Sequence, residues 1–222
     1  RCVILTTSKK NLLNPPDRLG AFPVLPIISG VSSNDALFVA EALIEGGVEI
    51  MEITLRSAES QESLSILRKE FPELTLGAGS IIHVEQLNWA AGEGLDFAVS
   101  PAWNDLIWER SEKISIPLIP GILTPSELLH AINAGCLHPK IFPIEPAGGL
   151  PYLQSLLAPF QHTSIQCLPT GGIKKEQVQK YLNFNQVLTV GGSWITPPEM
   201  ISAKNSKGIT ELAKSSIMIA NC

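Results

Sequence analysis

Basic charge, cysteine pairs, histidine pairs and long apolar runs are all scarce in this chain of 222 residues, and each scarcity removes a class of function. Sixteen lysines and arginines against 21 aspartates and glutamates leave a formal net charge of −5. Such a chain has no basic footprint for nucleic acid or an anionic membrane surface, so a small molecule is the expected partner. The four cysteines, Cys2, Cys136, Cys167 and Cys222, form no CxxC pair, and His83, His130, His138 and His162 form no HxH or HxxxH pair. No metal and no cofactor are expected, and a reducing cytosol is the simplest setting for such thiols. Apolar stretches are broken by proline or charge well short of the roughly 20 residues that a membrane span needs. The opening RCVILTTSKKNLL has no signal-peptide h-region, so a cytoplasmic location is expected. Charged residues make up only 17% and hydrophobic ones 45%, which excludes a disordered chain and fits one globular domain with a sizeable core.

Short β-branched runs alternate with amphipathic stretches along the chain. Strand-like runs stand at Pro23 to Ile28, Ile50 to Leu55, Leu74 to Gly77, Phe97 to Ser100, Ile116 to Pro120, Pro139 to Phe142, Ile165 to Leu168 and Gln186 to Val190. Helical patterns lie between them: NDALFVAEALIEGG, with Asn34 or Asp35 as candidate caps, QESLSILRKEF, HVEQLNWAAGEG, PSELLHAINAG, LPYLQSLLAPF and KKEQVQKYLNF. Several of these end in glycine just before the next strand, as αβ loops do. Eight compact βα units predict an α/β fold, a single (β/α)8 TIM barrel. The alternative, an open Rossmann-like sheet, lacks a G-x-G-x-x-G after its first strand. Residues 1–20 read as an N-terminal extension and 21–222 as the barrel domain.

In a parallel barrel, functional groups gather at the C-terminal ends of the strands, so polar residues at apolar positions are informative. Period two on Ile50 to Arg56 puts Met51, Ile53 and Leu55 on one face and Glu52, Thr54 and Arg56 on the other, facing the barrel interior. Glu52 and Arg56 then serve either catalysis or an internal salt-bridge network. Lys140, in Pro139-Lys140-Ile141-Phe142-Pro143, is alone among the lysines in standing within a strand core. A desolvated lysine loses ammonium stability and becomes the neutral amine that attacks a carbonyl to form a Schiff base. The plain alternative is an edge residue snorkelling to water. A lysine and a glutamate both directed inward are harder to explain as packing.

Strands seven and eight end in Pro169-Thr170-Gly171-Gly172 and Gly191-Gly192-Ser193-Trp194. Glycine turns at these two places let backbone N–H groups approach an anion, where phosphate sits in many barrels, although each turn alone reads equally as a tight turn. Ser80, after Gly77-Ala78-Gly79, reads as a carboxylate donor or as a helix-capping serine in an ordinary βα turn. Ser100-Pro101 and Pro120-Gly121 shape the mouth. Trp89, Trp103, Trp108 and Cys167 read as packing.

These segments, GGVEIMEITLRS, LGAGSI, FAVSP, IPLIPGILTPSEL, KIFPIEPAGG, LPTGGI and VGGSW, resemble in order the 2-keto-3-deoxy-6-phosphogluconate and 4-hydroxy-2-oxoglutarate aldolases from about Pro23 to Trp194. The resemblance implies a class I aldolase on a (β/α)8 barrel, needing no cofactor. It implies Lys140 as the Schiff-base lysine of the K-x-F-P motif, Glu52 as the acid/base of E-x-T-x-R, and Arg56 with Ser80 on the pyruvate carboxylate. It places substrate phosphate on Gly171, Gly172, Gly192 and Ser193, with Thr170 lining the site. Pro101 and Phe142 complete the expected substrate-binding set, and a homotrimer is implied. The chain departs from the family at Ser80 for threonine, at Pro146 for asparagine, at bulky Trp103, and at Ser29-Gly30 where some members carry arginine. A phosphosugar isomerase or epimerase, and a non-catalytic sugar-phosphate-binding barrel, are the alternative functions.

Overall fold

The computed structural model of the chain describes residues 18–57 and 59–219. Among these residues the strands are β1 (Val24–Ile28), β2 (Ile50–Thr54), β3 (Thr75–Gly79), β4 (Phe97–Val99), β5 (Leu118–Ile119), β6 (Gly121–Ile122), β7 (Lys140–Ile141), β8 (Leu168–Pro169) and β9 (Val190–Gly192). The helices are α1 (Ser33–Glu45), α2 (Glu59–Glu70), α3 (Val84–Gly92), α4 (Asp105–Ile114), α5 (Pro125–Asn133), α6 (Ile144–Ala147), α7 (Gly149–Leu157), α8 (Val178–Leu182), α9 (Pro198–Ser202) and α10 (Ser206–Met218). None of them is long and apolar enough to cross a membrane.

Every strand pairing is parallel, and the strands form a curled six-stranded sheet in the order β5-β4-β3-β2-β1-β9 and a three-stranded sheet β6-β7-β8. The architecture is α/β, as the alternating pattern predicts, but the ladders do not run as eight continuous strands. The fifth expected strand is divided at Pro120, which has no N–H to give to a ladder, into β5 and β6. The carbonyl of Pro120 still accepts the Lys140 N–H at 2.9 Å. Isolated parallel bridges join Cys167 to Val187 and Thr170 to Gly191.

Local chemistry accounts for the helix starts. Helix α1 is capped by Ser32, whose Oγ accepts the Asp35 N–H at 3.2 Å, rather than by the expected Asn34 or Asp35. Ala36, Val39, Ala40 and Leu43 of that helix are buried at helical spacing. In α5 the Thr124 hydroxyl accepts the Glu127 N–H, the Glu127 carboxylate accepts the Thr124 N–H, and Pro125 opens the helix. Helices α4 and α10 were not singled out in the sequence. Most of the expected extension lies outside the described residues, while Leu19 at its end is buried in the core.

The largest differences from expectation fall at glycines. The third strand runs on past Gly77 to Gly79 and the last begins only at Val190, so Gly79, Gly191 and Gly192 are strand residues rather than turn residues. Gly77 pairs with Glu52 on one side and Phe97 on the other, and a Cβ there would fall on the Phe97 ring. The missing side chain is what lets the fully buried Phe97 fill that stretch of the core. Gly77→Ala is therefore expected to cost about 1–3 kcal/mol through overpacking, read as a lower urea midpoint at unchanged m-value.

Candidate active site

Glu52 sits in the middle of β2, in register with Ile27 of β1 and Gly77 of β3, and is 0% exposed. Neither carboxylate oxygen has a hydrogen-bond partner among the described residues. Its room comes from Gly79, since a Cβ at that position would land on the Glu52 carboxylate. Glycines at 77 and 79, two apart on one strand face, were the sequence signal that this face is crowded. Burial pushes the Glu52 carboxyl above the usual range, while the charges of Lys140 and Arg56 pull it down. Burial prevails, which settles a competition that the sequence leaves open.

Arg56 lies just beyond β2, exposed, and donates from Nε to the Ser80 hydroxyl at 3.0 Å. Ser80 has φ +60 and caps no helix. The first residue before α3 is His83, and Gln86 accepts the backbone N–H groups of Ile82 and His83 at 2.8 and 3.0 Å. Between Glu52 and Arg56, buried Thr54 donates to the Ser29 hydroxyl at 2.8 Å, a contact that the sequence did not signal.

Lys140 opens β7, between Gly121 and Leu168 in register, and is 7% exposed. Its Nζ lies 5.1 Å from the centroid of the Phe142 ring. It is thus a strand lysine held inside the protein, not one reaching to solvent from a sheet edge. Phe142 in turn stands beside Gly171, whose added Cβ would be 3.1 Å from the Phe142 ring and 3.0 Å from the Pro143 backbone.

Thr170 is buried at the end of β8, with its N–H on the Ile141 carbonyl at 2.9 Å and its side chain filling the space over Gly191. Gly171 and Gly172 follow with φ +103 and +88, a conformation open to glycine. Their N–H groups donate no hydrogen bond among the described residues, so the turn presents free donors. Gly192 is packed against Trp194, where a Cβ would be 2.7 Å from the indole Nε1. Exposed Lys175 has its Nζ 6.0 Å from the centroid of the Trp194 ring.

Two clusters result: Glu52, Gly79, Ser80 and Arg56 about β2 and β3, and Lys140, Phe142, Thr170, Gly171 and Gly172 about β7 and β8, coupled by the pull of Lys140 on Glu52. Ser193 is exposed, and half-buried Pro101 packs its carbonyl on Gly121, the residue in register with Lys140. Burial pushes the Cys136 and Cys167 thiols up to about 12, which keeps them protonated core groups. An inward amine opposite a buried, unpartnered carboxyl is an arrangement for carbonyl chemistry with proton transfer.

The chain matches the family model described as KDPG and KHG aldolase over residues 16–212. It is 36% identical over 195 residues to the KHG/KDPG aldolase of Escherichia coli K12, covering 88% of this chain and 91% of that protein. It is likewise 36% identical over 199 residues to the 2-dehydro-3-deoxy-phosphogluconate aldolase of Dickeya dadantii, covering 90% and 92%. A solved structure of KDPG aldolase from Legionella pneumophila, with pyruvate captured as a covalent carbinolamine intermediate, superposes with a TM-score of 0.87 at 38% identity, covering 91% of this chain and 97% of that one. That of Zymomonas mobilis ZM4 with 3-phosphoglycerate gives 0.83 at 33% identity, covering 89% and 92%.

The raised ionisation of Glu52 has a consequence for stability. The unfolded chain ionises this group near 4.5 and the folded chain does so at higher pH, so between the two values the folded state holds a proton that the unfolded state has released. The Glu52 contribution is therefore fully present below the unfolded value and is lost as pH rises through the folded one. Glu52→Gln escapes this loss. Urea unfolding should show the variant gaining on the parent as pH rises from about 4 to about 8, and a difference flat in pH would contradict the buried ionisation.

Proposed function

The chain belongs to the KDPG and KHG aldolase family and is an aldolase, and on that premise we propose that Lys140 is its Schiff-base lysine and Glu52 its proton-transfer group. The substrate is a 2-keto-4-hydroxy acid such as 2-keto-3-deoxy-6-phosphogluconate or 4-hydroxy-2-oxoglutarate. The observation that carries this assignment is the buried pair itself: one inward lysine and one carboxyl with both oxygens unpartnered among the described residues, the carboxyl being pulled down by the charge of the lysine.

Neutral Lys140 Nζ attacks the C2 ketone, and the carbonyl oxygen takes a proton to give a carbinolamine. Protonated Glu52 gives its proton to the carbinolamine hydroxyl, which leaves as water, and the positive nitrogen of the resulting iminium is the electron sink. Glu52 in its carboxylate form accepts the C4 hydroxyl proton, the O–H electrons form the aldehyde C=O, and the C3–C4 pair moves into the enamine. Glu52 then returns the proton to C3, and water releases pyruvate and the free lysine. A carboxyl held above its ordinary range by burial is better matched to both halves of that exchange than an exposed glutamate.

Arg56, braced by Ser80, anchors the substrate carboxylate, with Phe142 and Pro101 as walls. The free N–H groups of Gly171 and Gly172, with Gly192, Ser193 and Thr170, take the phosphate and align the scissile bond. We also read the two ladders as one closed (β/α)8 barrel spanning the proposed domain 21–222, supported by the bridges Cys167 to Val187 and Thr170 to Gly191 and by the Pro120 link to Lys140. A cytoplasmic location accords with the free thiols Cys136 and Cys167.

Our reading of assembly is a homotrimer. Leu106 and Leu129 are 69% and 50% exposed on α4 and α5, each next in sequence to a partner of the Asp105 to His130 contact at 2.8 Å, and such exposed apolar side chains are the kind a second copy covers. Sedimentation equilibrium is expected to return three chains per particle, and a monomer at micromolar concentration would contradict it.

The chemistry is tested by incubating the protein with pyruvate, reducing with borohydride and locating the added mass by peptide mass spectrometry. The adduct is expected on Lys140. Lys140→Ala should lose it along with turnover by about 10³-fold or more, and turnover retained without an adduct would overturn the mechanism.

A further inference from the structure

Glu145 lies five residues beyond Lys140, on the short helix α6, and its carboxylate hydrogen-bonds to neither Lys140 nor Glu52. Its carboxylate is nonetheless fully engaged. The Tyr181 hydroxyl of α8 donates to Oε1 in a close contact, and the Gln177 amide donates to Oε2 at 2.9 Å. Gln177 passes the connection on, accepting the Lys174 N–H on its Oε1 at 2.8 Å. Tyr181 is buried, and burial together with the Glu145 charge pushes its phenol above the ordinary value, so it remains a donor.

These contacts enclose the Gly171–Gly172 turn. At its entry, the N–H groups of Ile144 and Glu145 donate to the carbonyls of Thr170 and Gly171 at 2.9 and 3.1 Å. In its middle, a Cβ on Gly172 would stand 3.0 Å from the Glu145 Cβ. At its exit, the chain from Glu145 through Gln177 reaches Lys174. Two glycines with positive φ are intrinsically soft, and donors that bind an anion are effective only when held in one geometry. A part-buried carboxylate satisfied by two neutral donors is a costly way to achieve packing alone.

We propose that Glu145 is a positioning residue: it holds the Gly171–Gly172 turn at a fixed place relative to Lys140 and so sets the preference for a phosphate-bearing substrate over one without phosphate. The proposal rests on the reading of that turn as the phosphate site. The Lys140 strand and the anion-binding turn are then coupled through a side chain that touches neither the reacting atoms nor the phosphate.

The test compares kcat and KM for 2-keto-3-deoxy-6-phosphogluconate and 4-hydroxy-2-oxoglutarate in the parent, Glu145→Ala, Glu145→Gln and Tyr181→Phe proteins. In Glu145→Ala, the ratio of kcat/KM for the phosphorylated over the unphosphorylated substrate should fall about tenfold, through KM more than kcat, the scale of one lost charge-assisted hydrogen bond. Glu145→Gln and Tyr181→Phe should fall between, and pyruvate should remain trappable by borohydride in all three. An equal loss for both substrates would mark a merely structural role, and an unchanged ratio would overturn the proposal. Tyr181→Phe, which removes one hydroxyl, decides the matter by the same ratio if Glu145→Ala does not fold. Failure of the parent protein to trap pyruvate would instead overturn the aldolase chemistry, whereas trapping with an unchanged ratio would overturn only the role of Glu145.

Discussion

The molecule is organised around a carboxyl that is buried without a hydrogen-bond partner. Removing Glu52 from water penalises its charged form, and no described residue donates to it to offset that penalty. The charges of Lys140 and Arg56 compensate in part. A group in that condition gives up its proton at a higher pH than an exposed glutamate does. The rest of the interior is arranged to keep it so: a strand neighbour without a side chain at Gly79, and an amine on a separate strand within electrostatic reach.

Glycine is the device by which the sheets accommodate such groups. Gly77 yields space to Phe97, Gly79 to Glu52 and Gly191 to Thr170. In each case the missing side chain lies on an inward face, where a close-packed interior would otherwise be overfilled. The two glycines of the turn after β8 do something different. Their backbone N–H groups donate to no described residue, which suits an anion, while Phe142 and Glu145 of the lysine loop pack against them.

Division of labour follows from this arrangement. On the proposed assignment, covalent chemistry depends on the few atoms of Lys140 and Glu52, both buried. The groups assigned to substrate orientation, Arg56 with Ser80 and the glycine turn, lie near the surface and are held by hydrogen bonds rather than by burial. Aldol cleavage needs both, because the C3–C4 bond breaks readily only when it is aligned with the iminium.

Much of this was legible in the sequence. Alternation of apolar strands and amphipathic helices determined the α/β class, and period two on Ile50 to Arg56 directed Glu52 inward together with Thr54. The isolation of Lys140 within an apolar strand marked it, and ordered motifs carried the family. Strand ends were less legible: Gly79 and Gly191 were read as turn residues because glycine interrupts a local pattern, whereas their reason is a side chain from another part of the chain, Glu52 and Thr170. Division of the fifth strand at Pro120, the Ser80 contact with Arg56 and the engagement of Glu145 by Tyr181 and Gln177 join residues 19 to 36 positions apart or depend on ladder geometry. Local sequence thus determined which chemistry the chain carries and which face of each strand bears it. Only the tertiary structure decided the balance of burial against charge at Glu52 and the space each glycine leaves, because both depend on atoms brought together from distant strands.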